Sequence, residues 1–337
     1  MNSTHYPLEG IRVLAMEAAV AGPLATRHLA DLGADVVKIE RAEGDFARRY
    51  DEAVQGLSAY FVWLNRGKRS IVLDWRQPGD REALDRLLQR SDVLVHNLGP
   101  GAMERLGLSK AQLTEHYPRL IHCCISGYGT EGPYATKKAF DLLVQGESGV
   151  VSVTGTPEQP CKVGISIADV SAGMYAFSSI LAALIQRDKT GKGTAIDISM
   201  FESLVEWTSP LAYTYLYSGV QLARAGWRHN IIVPYGPYRC RGNDYVNLAV
   251  QNEGQWERLC TIVLERPDLL ADARYRTNSE RLKNRETLEP LIEQILGAME
   301  RSEVIARLEA ADVPYGWLND FQAVVNHPQL EARERWA

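Results

Sequence analysis

Gly10–Met16 (GIRVLAM) is an unbroken apolar run, Leu24–Leu32 has helical spacing closed by Gly33, and Asp35–Glu40 (DVVKIE) is a second apolar run. Strand, helix and strand so close together imply a right-handed crossover between parallel strands. The pattern recurs. Ser70–Leu73 (SIVL), Asp92–His96 (DVLVH), Leu120–Ser126 (LIHCCIS) and Ala195–Met200 (AIDISM) read as strands. Arg81–Arg90, Met103–Leu106, Phe140–Gln145 and Phe201–Tyr217 read as helices. The expected fold is therefore α/β, with a doubly wound, mostly parallel sheet whose ligands lie beyond the carboxyl ends of the strands. Glu40 ends the second strand, but the turn after the first, EAAVAGPLA, has no G-x-G-x-x-G. The pyrophosphate turn of a dinucleotide site is not built.

The stretch Lys162–Arg187 carries the candidate chemistry. Val163, Ile165 and Ile167 alternate as in a short strand; Met174, Tyr175, Phe177, Ile180, Leu181 and Leu184 follow at helical spacing. Asp169 falls where one becomes the other. A carboxylate there caps the helix or sits in its first turn, where the helix's positive end favours the ionised form. A fixed carboxylate at that place is also a usable nucleophile.

Other classes are disfavoured. The net charge of −5 does not suit a nucleic-acid partner. Five cysteines without a C-x-x-C, and seven histidines without an H-x-H or H-x-x-x-H, build no metal site. G-x-S-x-G and a Walker loop are both missing. The N-terminal residues lack a signal peptide's basic and apolar regions, and no run approaches the ~20 apolar residues of a membrane span. A cytoplasmic protein is expected. Composition shifts near Ala225, where two short strands flank a turn at Gly242–Asp244 and a helix starts at Gly254. Pro267–Met299 reads as charged helix. The expected domains are a large one over 1–224, a smaller α+β one over 225–320, and a segment 321–337 that starts back toward the first. Arg41, Lys68, Arg69, Arg76, Arg105, Lys137 and Lys138 lie in or beside the loops at the strand ends. Dispersed cations among glycine-rich turns suit a long, phosphate-bearing ligand.

Seven stretches in order, LEGIRVL, LADLGADVVKIER, NRGKRSIVLD, NLGPGAMERLGL, ISGYGTEGPY, DVSAGMYAFSSILAAL and GKGTAIDISMFE, resemble the class III CoA-transferases. That family includes formyl-CoA transferase, carnitine CoA-transferases and, as relatives, α-methylacyl-CoA racemases. The resemblance spans essentially the whole chain. It implies that Asp169 is a nucleophile forming an aspartyl-CoA thioester, with acyl-CoA as a substrate and no tightly bound cofactor. It implies CoA contacts at Arg41; at Leu73, Asp74, Trp75 and Arg76; at Asn97, Leu98 and Gly99; at Arg105; and at Lys138, Ala139, Phe140 and Asp141. Arg41, Arg76 and Arg105 would meet phosphates. Trp75 would pack on adenine or serve as a core or rim aromatic. Oxyanion donors are expected from backbone amides at the start of the Asp169 helix and in Gln251–Gly254, where formyl-CoA transferase has a glycine-rich loop.

Val20 stands where formyl-CoA transferase has a glutamine, which implies a different acyl group. A racemase needs a histidine beside an aspartate; the corresponding residues here are Phe140 and Asp141. The family fold is an interlocked homodimer, and its members continue some tens of residues past the equivalent of Ala337, so the chain is expected to be truncated. The stretch from Arg228 to Cys260 looks most like members acting on succinyl-CoA with itaconate, mesaconate or citramalate. Arg228, His229 or Arg239 would then bind the acceptor's second carboxylate, or else be surface charges. A racemase-like isomerase and a non-catalytic acyl-CoA binder remain as alternatives.

Overall fold

The computed structural model describes residues 5–335. Contacts divide the chain into two units: Met1–Thr154 with Cys161–Leu222, and Gly155–Pro160 with Ala223–Ala337.

The first unit holds six parallel strands, β1 (Arg12–Met16), β2 (Asp35–Glu40), β3 (Arg69–Val72), β4 (Val93–His96), β5 (Ile121–Ser126) and β6 (Ala195–Ser199). Their order is β3-β2-β1-β4-β5-β6, the doubly wound arrangement. The helices are α1 (Ala21–Asp31), α2 (Ala59–Asn65), α3 (Pro78–Gln89), α4 (Ala102–Arg105), α5 (Lys110–His116), α6 (Asp141–Glu147), α7 (Val150–Val153), α8 (Ile167–Thr190), α9 (Met200–Trp207) and α10 (Ser209–Ser218). Strand alternation separates two cores. Val13 and Ala15 of β1 join Ala25, Leu29, Ala172, Ala176 and Ile180 on one face. Leu14 and Met16 join Leu84, Leu88, Met103 and Leu113 on the other.

Two expectations need correction. No strand immediately precedes Asp169. Residues 161–166 are irregular because the buried Gln145 takes over their backbone groups: Val163 N–H donates to its Oε1 (2.9 Å), and its Nε2 donates to Ile165 O (3.2 Å). The expected helix Phe201–Tyr217 breaks at Thr208, and Pro210 starts α10 in its first turn. By length and composition alone α8 could cross a membrane, although the sequence shows no comparable unbroken run. Its packing is that of a core helix: Ala168, Ala172, Ala176 and Ile180 are buried on the sheet, and the buried Arg187 pairs with Asp92 at 2.9 Å.

The second unit has an antiparallel sheet of β7 (Tyr235–Arg239), β8 (Tyr245–Ala249) and β9 (Tyr315–Gly316). Its helices bury Trp256, Leu259, Leu288, Ile292 and Val304. The short excursion Gly155–Pro160 belongs to this unit through a bridge from Gly155 to Gly226, which no local pattern announces. Residues 321–335 group by contacts with the second unit. Asp320 and His327 cap short helices over Phe321–Val325 and Pro328–Ala332, so this segment does not run on as an extended strap.

Candidate active site

A cavity of about 1160 Å³ in the first unit opens beyond the carboxyl ends of β1, β4 and β5. This is where the winding of the sheet reverses, the usual ligand position in an open α/β sheet. Its wall comprises the turn 18–21 after β1, the loop 97–104 after β4, the loop 126–131 after β5, residues 135–142, and Asp169.

Asp169 lies in the first turn of α8, not at a strand end. Gly173, one turn on, lets α8 approach α1 closely: a Cβ there would stand 2.8 Å from Ala21 O. The approach places the Ala21 N–H near the Asp169 carboxylate. The start of α8 is capped from a distance. Asp141 Oδ1 accepts from Ala168 N–H (2.8 Å), and its Oδ2 accepts from Gln145 Nε2 (2.7 Å).

The helix end favours an ionised Asp169, but burial is the larger influence and the Asp141 charge adds to it. Together they raise its pKa to about 7, with the Ala21 N–H acting the other way. Asp141→Asn removes the like charge and sets an amide against that of Gln145. Its expected effects are an acid shift in any Asp169-dependent pH profile and a stability loss of about 1 kcal/mol from the impaired cap. Activity against pH and thermal unfolding check both.

Of the residues expected from sequence, Asn97, Leu98, Gly99, Lys138, Ala139, Phe140, Asp141 and Asp169 line the cavity, whereas Arg41, Leu73, Asp74, Trp75, Arg76 and Arg105 do not. Leu73 is a core residue with Trp75 packed beside it. Arg76 is exposed and held by Asp74 at 2.7 Å. Arg41 and Arg105 are exposed. The Gln251–Gly254 amides expected as oxyanion donors form a helix start in the second unit. Gln251 N–H is bonded to Gln255 Oε1 (2.7 Å), and Asn252 caps Gln255 N–H (2.9 Å). Two expected carboxylate binders are already occupied. Arg228 is paired with Glu289 (2.8 Å) and Glu293. His229 accepts from Ile231 and Ile232 N–H (3.1 Å each), and burial lowers its pKa. Arg239 is exposed on β7.

Some lining residues escaped the sequence reading. His96 and His122, on neighbouring strands, stack with Nε2 atoms 2.8 Å apart. Burial lowers their pKa values to about 3 and about 4, so both are neutral. A search for H-x-x-x-H spacing could not pair them; the adjacency of β4 and β5 does. Tyr50 and Tyr60 meet edge to face at 5.9 Å on the wall.

The family model for CoA-transferase family III matches residues 8–337, and the chain belongs to that family. A human protein named succinyl-CoA:glutarate CoA-transferase is 34% identical over 96% of this chain and 74% of its own length. An Acetobacter aceti acetyl-CoA:oxalate CoA-transferase is 35% identical over 97% and 84% respectively. A Haloarcula hispanica succinyl-CoA:mesaconate CoA-transferase is 35% identical over 97% and 84%. Among solved structures, a CAIB/BAIF family protein from Brucella suis is similar at 37% identity and TM-score 0.84, covering 98% of this chain and 88% of that one.

Proposed function

We propose that this CoA-transferase moves CoA from succinyl-CoA to a C4–C5 dicarboxylate such as itaconate, mesaconate, citramalate or glutarate, through an aspartyl-CoA thioester on Asp169. The observation that carries the reading is Asp169 itself, a largely buried carboxylate at a cavity wall with a backbone N–H near it.

An Asp169 oxygen attacks the donor thioester carbonyl; the C–S bond breaks and CoA thiolate leaves a mixed anhydride. The thiolate then attacks the aspartyl carbonyl, expelling succinate and leaving the aspartyl-CoA thioester. The acceptor carboxylate displaces the thiolate to form a second anhydride. Thiolate attack on the acceptor's acyl carbon gives the product and restores Asp169. Each attacking group is an anion, so no general base is required. The neutral histidines suit that economy. The Ala21 N–H can stabilise an oxyanion on the aspartyl carbon, a role worth about 3 kcal/mol for a well-placed donor.

With Arg228 and His229 occupied, Lys138 and Lys162 on the cavity wall are the candidate partners for the acceptor's distal carboxylate. Glutarate and mesaconate in relatives' names support a C4–C5 acceptor. A homodimer is part of the same reading. It is supported by α10, which buries no side chain and exposes Tyr213, Leu216 and Tyr217. Succinyl-CoA offered with itaconate, mesaconate, citramalate, glutarate, oxalate and carnitine tests the assignment. Transfer to one or more of the first four is expected; transfer only to oxalate or carnitine overturns it. Exchange of an α-proton with no acceptor present would favour the racemase alternative.

A further inference from the structure

The turn 18–21 joins β1 to α1 and ends at Ala21, whose N–H lies near Asp169. Ala19 within it has φ of 64°, a left-handed conformation that a residue with a Cβ keeps only when its surroundings hold it. Two side chains take hold of the turn's backbone. Asn97, at the end of β4, grips Ala18 in both directions: Ala18 N–H donates to its Oδ1 (2.9 Å), and its Nδ2 donates to Ala18 O (2.8 Å). Asp45 Oδ1 accepts from Ala19 N–H (3.2 Å) while its Oδ2 is tied to the buried Lys38 (2.7 Å). Glu17, just before the turn, is buried and fixed by Thr26 Oγ1 (2.8 Å) and Lys68 Nζ (2.7 Å). Gly22 leaves the space Asn97 occupies, since a Cβ there would lie 3.3 Å from Asn97 Cγ. Both polar ends of the Asn97 amide are therefore committed to protein backbone.

We propose that Asn97 is a positioning residue whose amide locks the turn 18–21 and so keeps the start of α1 in place beside Asp169, and that this side chain does not hold CoA. The inference rests on Asp169 being the nucleophile. The two roles for Asn97 predict opposite splits between binding and rate. A CoA-binding side chain would raise the acyl-CoA Kd when removed and leave the saturated rate of Asp169 labelling alone. A clamp does the reverse.

The experiment measures succinyl-CoA Kd and, at saturating succinyl-CoA, the rate at which CoA appears on Asp169 by mass spectrometry. Asn97→Ala is expected to slow labelling about tenfold or more, the scale of a small misplacement of reacting groups, with Kd within about twofold. Asn97→Asp keeps the acceptor, loses the donor to Ala18 O, and covers the case in which the alanine variant fails to fold. It should show the same split. Gly22→Ala retains Asn97 but crowds it, and should give a smaller loss of the same kind. A tenfold rise in Kd with an unchanged saturated rate overturns the proposal, as does no change in either quantity in the folded variants. Wild-type protein that turns over but never carries CoA on Asp169 overturns the nucleophile reading itself, and this inference with it.

Discussion

Asp169→Ala is expected to abolish transfer, by at least about 10³-fold, while succinyl-CoA still binds. The loss is large because the covalent route disappears entirely rather than becoming less well oriented. Binding should survive because the rest of the cavity wall, residues 98–99 and 138–141 among it, is untouched. Steady-state transfer, a direct binding isotherm and mass spectrometry of donor-treated protein together check this. A variant that still turns over, or a wild type labelled elsewhere, would refute the assignment. The wild-type profile carries a second signature. Only the carboxylate anion attacks, and its pKa stands at about 7. The labelling rate should therefore fall about tenfold per pH unit below that value and level off above it.

The centre of the sheet is readable because β1, β4 and β5 are buried along nearly their whole length. Asp35–Glu40 is a strand to the residue in both sequence and structure, since nothing but a sheet core accepts DVVKIE between two turns. The misread strand before Asp169 failed for the opposite reason. Val163 and Ile165 alternate, but their backbone groups go to Gln145, eighteen and twenty residues earlier. Composition cannot record such a tertiary bond. The same holds for the state of Asp169. Its position in a first helical turn was visible, and that favours the anion. The burial and the Asp141 charge that raise its pKa exist only once α6 and α8 are assembled. Arg228 shows the limit for charges: a cation in a suggestive stretch was already committed to Glu289 and Glu293 on a helix some sixty residues on.

Asp169→Asn should make the protein inactive and more stable. An acid whose folded-state pKa lies above its unfolded value holds its proton more tightly when folded. Below about pH 4 both states are protonated and the site costs nothing. As the pH climbs, the unfolded carboxyl ionises freely while the folded one resists, and the full cost is reached above about pH 7. The gap between the ordinary 3.8 and about 7 corresponds to a cost on the order of 4 kcal/mol. An asparagine still accepts the Ala21 N–H but carries no charge into the burial. Its unfolding temperature should exceed that of the wild type by several degrees at pH 8, and the difference should vanish near pH 4. Differential scanning calorimetry of both proteins across that range is the measurement. A destabilised asparagine variant at pH 8 would mean that the carboxylate is paired with a cation and that burial does not govern it. A surplus that persists unchanged to pH 4 would trace the effect to packing rather than to charge. The expected outcome means that the fold gives up stability to keep a poorly solvated anion beside the cavity, which is the condition under which a weak carboxylate nucleophile becomes an effective one.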